Sequence, residues 1–381
     1  ELRPDFSTLC EVPWATDPTA QVIHDAMFRD GRPVEIAPRQ VLKRIVDLYA
    51  KRGWKPVVAP EIEFYLVKRN VDPDYPLEPP IGRSGRAEAG RRSYSISAVN
   101  EFDAVFEDIY EFAEAQHLEV DTLIHEEGAA QMEINLRHGD PIELADQVFL
   151  LKRTIREAAL AHDIYATFMA KPIANEPGSA MHIHQSVADA TTGRNIFTDE
   201  EGRPTPEFFH YIGGQQKLVP AVTCMLAPYV NSYRRLVSNS SAPVNVQWGY
   251  DNRTTGLRIP PSNAANRRVE CRAPGSDANP YLALAAVLAC VAAASGSVSS
   301  APGWVRGTRV PSAVYARSAN PSATNRRPAA RHAASTALPG SPSTGSSGSY
   351  SPTASTTAAA CASWRTMALY RAPCGFTYCT A

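Results

Sequence analysis

An abrupt break in composition near residue 300 decides how much of this 381-residue chain can build a core. Residues 301–381 contain no Asp, Glu, Lys or Ile and only two Leu (Leu338 and Leu369), and they are rich in Ala, Ser, Thr and Pro. A segment like this has no helical or strand period and too little apolar surface to offset its chain entropy, so it reads as disordered. Because the change falls inside an apolar stretch, it also reads as a shifted reading frame near Val298. Its eight arginines are dispersed rather than clustered, which disfavours a nucleic-acid-binding tail. All 39 acidic residues lie in the first 300, so an acidic body precedes a basic tail. The whole chain carries a net charge of −1, and that balance points to neither a nucleic acid nor a membrane surface as a partner.

No apolar run reaches the length of a spanning helix. The first residues lack a basic stretch followed by an apolar one, so no secretory leader is expected. Seven scattered cysteines without a C-x-x-C pair argue against a zinc ribbon or a disulfide framework and suggest a reducing, cytoplasmic setting.

The body has readable punctuation. Residues 38–52 carry Val41, Ile45 and Leu48 at helical spacing, with Gly53 at the C-terminal cap. Residues 55–67 read as a strand in which Pro60 predicts an edge or a bulge. Residues 71–98 read as a loop and 101–116 as a helix. Residues 120–125 and 130–137 read as two strands joined by a tight turn at Gly128-Ala129. Asp140, Pro141 and Glu143 open a helix to about residue 162. A strand at 181–187, a helix at 207–226, a strand at 269–272 and a helix at 280–294 complete the pattern. This mixed order predicts an α+β fold.

Five short segments carry chemistry. In Pro60–Phe64, Glu61 and Glu63 share one strand face and Ile62 and Phe64 the other. Two adjacent carboxylates repel unless a cation or a proton lies between them, although a solvated strand face also fits. In His125–Asn135, the residues Gln131, Glu133 and Asn135 share a face, and the glycine turn brings Glu126 back beside Glu133; an exposed hairpin also fits. In Gly178–Ser186, His182 and His184 share a face in a His-x-His arrangement, a common metal-binding pattern that surface histidines also produce. Arg235, Arg253 and Arg258 suit an anion clamp or an ordinary basic surface. Finally, Arg268, Glu270 and Arg272 alternate along a strand, as a network facing a ligand or as a structural ladder. Carboxylates with one or two imidazoles suit magnesium or manganese better than zinc. Arginines with a divalent cation are the equipment of phosphoryl transfer, and neither a P-loop nor a G-x-G-x-x-G loop is present.

The order and spacing of these segments over residues 1–296 resemble the glutamine synthetase family and its γ-glutamyl-amine ligase branch. The motifs are E-I-E-F at 61–64, H-E-x-G-x-x-Q-x-E at 125–133, G-S-x-M-H-x-H-x-S at 178–186, N-S-Y-x-R-L at 231–236, N-R-x-x-x-x-R-I-P at 252–260, and R-R-x-E-x-R with A-N-P-Y at 267–281. The resemblance implies a catalytic domain over 38–298 with a mainly antiparallel curved sheet and flanking helices. It implies that 1–37 is the remnant of a β-grasp domain, and it leaves 299–381 as the odd tail.

The resemblance also implies roles. Glu63, Glu126 and Glu133 would hold a cation on the glutamate side, and Glu61, His182 and Glu270 one bridging the nucleotide phosphates, with two to three magnesium or manganese ions per site. His184, Ser186 and Arg268 would contact ATP. Gly178, Arg235 and Arg272 would contact L-glutamate. Arg253 and Arg258, with Arg235, would steady the transferring phosphate. A γ-glutamyl phosphate would then be attacked by an amine.

Two departures concern the substrate. Where ammonia-using members carry a glutamate after the R-L motif, Ser241 stands here, and Pro177 replaces an asparagine before Gly178. The first leaves room for a larger amine, putrescine or another polyamine, in place of ammonium, and the second suggests an altered substrate mouth. Others concern completeness: the resemblance places most of the β-grasp domain, with a loop that completes the neighbouring subunit's site in a ring of subunits, upstream of residue 1. It also implies a helical C-terminal end that the tail does not resemble. An ammonia-using glutamine synthetase and a truncated, inactive relative therefore stay open beside the polyamine ligase.

Overall fold

The computed structural model describes residues 1–294, other than 73, 89–91 and 239, together with 379 and 380. The expected disordered or frame-shifted tail thus lies almost wholly outside the described residues. The chain divides into two units, 1–306 with 367–381, and 307–366; every described residue belongs to the first.

The element order begins with β1 (Leu2–Pro4), β2 (Cys10–Glu11), β3 (Ala20–Gln21) and β4 (Ile23–Ala26), followed by α1 (Pro38–Ala50) and β5 (Trp54–Lys68). Next come α2 (Ile96–Val99), α3 (Asp103–Ala115), β6 (Val120–His125), β7 (Gln131–Leu136), α4 (Pro141–Ala161), β8 (Ile164–Thr167) and β9 (Met181–Asp189). The last part holds α5 (Pro206–Leu226), α6 (Val230–Arg235), β10 (Trp248–Tyr250), β11 (Leu257–Ile259), β12 (Val269–Cys271), α7 (Pro280–Ala294) and β13 (Cys379–Thr380). The fold is α+β, as expected. Its eight-stranded sheet runs β10-β11-β12-β9-β5-β7-β6, with β8 beside the end of β5. Every neighbouring pair in it is antiparallel except β10 and β11.

Strand β5 is central, so Pro60 marks no edge; of the two expectations the bulge holds, since the register with the partner strand shifts by one residue between Glu61–Asn135 and Val58–Gly139. The Val58 and Leu66 N–H groups donate to Gly139 O and Ala130 O, whereas Glu63 N–H donates to Ala180 O on the opposite flank. Even-numbered N–H positions therefore face β7. Pro60 falls in the gap between the last ladder pair, Glu61 with Asn135, and the bridge between Val58 and Gly139. Its missing donor costs no ladder bond.

One sheet face is apolar and meets the helices. Ile62, Phe64, Met132, Ile134, Met181, Ile183, Val269 and Cys271 are buried there with Leu144, Val148, Leu151 and Ile155 of α4 and with residues of α5 and α7. Helix α7 is apolar all round because it touches α1, α4 and α5, and Tyr49 of α1 donates its hydroxyl to Leu288 O at 2.9 Å. In α1 the buried side chains are Arg39, Leu42 and Tyr49, with Val41, Ile45 and Val46 against the core; Leu48, expected inward, is exposed. Val41 and Ile45 of the expected triad thus pack against the core and Leu48 does not, its place being taken by Tyr49. Gly53 follows with φ +70°, the conformation that a helix-ending glycine adopts without a Cβ penalty.

Candidate active site

The opposite face of the sheet collects the chemistry, and strand register decides how. Across β7, β5 and β9, Glu63 lies opposite Glu133, and Glu61 opposite both Asn135 and His182. Across β9, β12 and β11, His184 lies opposite Glu270, and Glu270 opposite Arg258. Directly opposed residues share a face, so five strands turn these groups to one side.

The groups meet closely. His182 Nδ1 is 3.1 Å from Glu61 Oε2, 3.8 Å from Glu270 Oε1 and 3.9 Å from Glu63 Oε1. Among the described residues, two constellations offer ligand atoms within 4.8 Å of one another: Glu61, His182 and Glu270, and Glu63, Glu133 and His182. The first is the expected trio. In the second, Glu63 and Glu133 meet as expected, but His182 stands where Glu126 was expected; Glu126 lines the same cavity outside that group.

The electrostatics show what this cluster lacks. Burial, with the Glu126 charge added, pushes Glu63 up to about 8. Burial and the charges of Glu61, Glu63 and Glu126 push Glu133 up to about 9. Burial also raises Glu126. His182 is driven down to about 4 by burial and by the Arg272 charge, so at neutral pH its imidazole is uncharged, the form that coordinates a cation. Burial would raise Glu61, but its hydrogen bonds with His182 and His184 prevail and hold it well below the usual carboxylate range. Buried carboxylates that resist ionisation together, beside a neutral imidazole, form a hard-oxygen donor set suited to a divalent cation.

Arginines frame the cluster. Glu270 accepts from Arg258 Nη1 at 2.8 Å and from Arg272 Nη1 at 2.6 Å. The expected bracket of Glu270 by Arg268 and Arg272 is therefore corrected: Arg258, from the neighbouring strand, takes the place of Arg268. Arg268 Nε instead donates to His184 Nδ1 at 3.1 Å. That bond fixes the His184 proton on Nε2, 2.6 Å from Glu61 Oε1. Arg235 is buried and donates to Ala273 O and Arg272 O, and burial lowers it to about 10 against the opposing pull of Glu63. The Nε of Arg272 is buried and finds no acceptor among the described residues. Arg253 Nη1 donates to the Tyr94 hydroxyl at 3.1 Å.

Two cavities meet at Glu61 and Asn135. One of about 860 Å³ is lined by His184, Ser186 and Arg268, the three expected nucleotide contacts. The other, of about 680 Å³, is lined by Glu63, Glu126, Glu133, Gly178, Arg235, Ser241, Arg253, Arg258 and Arg272. At Gly178 the backbone is so close that a Cβ would stand 2.6 Å from both Ala170 O and Arg235 Cγ, so only glycine fits; its carbonyl accepts from Gln131 Nε2 at 3.1 Å. Ser241 lies at the exposed end of this cavity, where its hydroxyl donates to Glu127 Oε2 at 2.9 Å.

Three residues here escaped sequence reasoning. Glu88 accepts from Ala130 N–H at 2.6 Å and pairs with His125 Nε2 at 2.9 Å, and Tyr94 donates its N–H to His125 O. Both lie in an irregular stretch with no period to betray them. Glu127 was visible only as the neighbour of Glu126.

Residues 35–297 match the family model described as glutamine synthetase, catalytic domain. The chain is 41% identical over 282 residues to the γ-glutamylputrescine synthetase PuuA of Escherichia coli (strain K12), covering 73% of this chain and 59% of that protein. It is 37% identical over 287 residues to a glutamine synthetase of Pyrococcus abyssi, covering 75% and 62%. It is 32% identical over 293 residues to a glutamate–isopropylamine ligase of a Pseudomonas species, covering 75% and 62%. The solved structure "Apo GmaS without ligand" superposes with a TM-score of 0.66 at 28% identity, covering 77% of this chain and 66% of that one. The chain thus spans about three fifths of the length of the curated relatives it matches. A family model that matches most of the described residues, on a sheet whose register brings the shared motifs to one face, shows that this chain belongs to the glutamine synthetase family.

Proposed function

We propose that the chain carries the catalytic domain of an ATP-dependent ligase that joins the γ-carboxylate of L-glutamate to putrescine or another polyamine. The observation that carries this reading is the carboxylate–imidazole cluster that lines one cavity and reaches the other through Glu61, with basic side chains lining both. The 41% identity to a γ-glutamylputrescine synthetase and the serine at 241 support the choice of amine.

Magnesium or manganese held by Glu61, His182 and Glu270, and by Glu63, Glu126 and Glu133, would neutralise phosphate charge and polarise the transferring group. The chain's own residues do the rest. Ser186, His184 and Arg268 receive the nucleotide in the larger cavity. Gly178, Arg235 and Arg272 receive glutamate in the other, where the unpartnered Arg272 Nε awaits an acceptor. The γ-carboxylate attacks the terminal phosphorus of ATP, and ADP departs. Arg253 and Arg258 donate to the equatorial oxygens as they gain charge. The amine nitrogen then attacks the acyl carbon of γ-glutamyl phosphate. Inorganic phosphate leaves with the bonding pair, the nitrogen loses a proton, and the amide remains. By analogy with the family, a ring of subunits would complete the assembly.

One observation favours the ammonia-using alternative: the 37% identity to a glutamine synthetase of Pyrococcus abyssi. The test is glutamate-dependent ADP release with magnesium and ammonium, putrescine or ethanolamine at matched concentrations. Release with putrescine but not ammonium is expected. Release with ammonium alone overturns the polyamine reading, and none with any amine overturns the ligase reading.

A further inference from the structure

The carboxylate at the mouth has a more specific use. We infer that Glu127, held by Ser241, receives the distal ammonium of a diamine whose other nitrogen attacks glutamate, and so sets the preference for diamines over monoamines. This deepens the ligase reading and rests on it.

Depth within one cavity carries the argument. Its most buried lining side chains are Glu63, Glu133, Arg235, Glu270 and Arg272, the groups assigned to the cations, the transferring phosphate and glutamate. Glu127 is half-buried and Ser241 exposed, so their pair stands at the outer end. The same cavity is also lined by the buried Pro243, the half-buried Ile124 and Val244, and the exposed Val237. A nitrogen that reaches the most buried groups on a short methylene chain thus meets apolar side chains and leaves its second nitrogen near the mouth. That second nitrogen stays protonated at neutral pH, and a carboxylate is its natural partner. The 2.9 Å bond from Ser241 fixes one carboxylate oxygen, so less side-chain freedom is lost when the ammonium arrives. The turn supports the same placement. Gly128 N–H donates to Gln131 Oε1, Glu126 N–H to Gln131 O, and Ala130 N–H to Glu88, so the residues on both sides of Glu127 are anchored. Ammonium itself has no distal charge and would gain nothing from a carboxylate at the mouth.

The test compares putrescine with n-butylamine, which has the same chain and no second charge, in the native chain and in Glu127→Gln, Glu127→Lys and Ser241→Ala. The ratio of kcat/KM for the diamine to that for the monoamine should fall roughly 10- to 100-fold in E127Q, the range for loss of a charged hydrogen-bond partner. It should fall less in S241A. E127K should lose putrescine and gain 4-aminobutyrate, whose distal group is a carboxylate. Putrescine binding is followed in parallel by calorimetry with a non-hydrolysable ATP analogue and glutamate. An unchanged ratio in E127Q, or equal losses for both amines, overturns the assignment. Turnover with ammonium and neither turnover nor binding of putrescine also overturns it, while the ligase reading stands. If no amine is turned over but putrescine binds and E127Q abolishes binding, the assignment stands and the ligase reading falls.

Discussion

Glu63 and Glu133 face each other across neighbouring strands, both buried, and both resist ionisation. Each is more costly to bury charged than neutral unless a cation lies between them. Two measurements follow at this scale. A divalent cation at a hundred times its dissociation constant should stabilise the chain by about 2.7 kcal/mol, and Glu63→Gln should raise the melting temperature in chelator while shrinking the gain from added magnesium. Thermal unfolding with and without chelator checks both. Arg258 is a different case, because it already neutralises Glu270 at 2.8 Å and lines the cavity assigned to the transferring phosphate. Arg258→Ala should lower kcat by about 10²–10³ and change the KM for ATP little, which steady-state kinetics will show.

At the scale of the element, α4 shows how a local signal fixes a boundary. The Asp140 carboxylate accepts from Ile142 N–H at 2.8 Å and Glu143 N–H at 3.4 Å, with Pro141 in the first turn. Asp140→Ala should cost about 1 kcal/mol, seen as a lower urea midpoint with an unchanged slope. The same helix buries Lys152, whose ammonium donates to Ser276 O and Ala278 O and is pushed by burial down to about 7. Its folded value lies below the unfolded one of about 10.4. Between these values the unfolded chain binds a proton that the folded chain lacks, so stability rises with pH. Urea unfolding from pH 6 to 10 should show the native chain gaining on Lys152→Met above pH 7, by at most about 1.4 kcal/mol per unit, and losing that gain as pH falls back. Caps and long alternating strands such as β7 were legible in the sequence because their causes are local. The site motifs were legible because each is a short continuous run of sequence. What escaped was pairing between strands. The sequence of β5 does not show that β7 ends beside Pro60, nor does that of β12 show that Arg258 crosses from β11 to reach Glu270 while Arg268 turns to His184. Short strands such as β8 and β10 offer too few residues for a period to emerge.

At the scale of the whole molecule, one buried side chain ties the N-terminal strands to the helical layer. The Arg39 guanidinium donates to Asp5 at 2.8 Å, Asp25 at 3.0 Å and Asp146 at 2.8 Å, and the Tyr281 hydroxyl donates to Asp146 at 2.6 Å. Removing one member of such a buried ionic network strands the others without a partner. Arg39→Met should therefore destabilise the chain by about 3–5 kcal/mol, measurable by urea denaturation, even though it removes no residue assigned to catalysis.

The pairing of β5 with β9, and of β9 with β12, also sets an order of events during biosynthesis. Glu61 and Glu63 leave the ribosome early, whereas Glu270, which shares His182 with Glu61, follows about two hundred residues later, on the order of 10–40 s at usual elongation rates. Until then the sheet's apolar face has no α7 to cover it and the carboxylates have no complete set of neighbours. A nascent chain of this kind needs shelter for that interval, and its capacity for chemistry arrives in one step, when β12 docks.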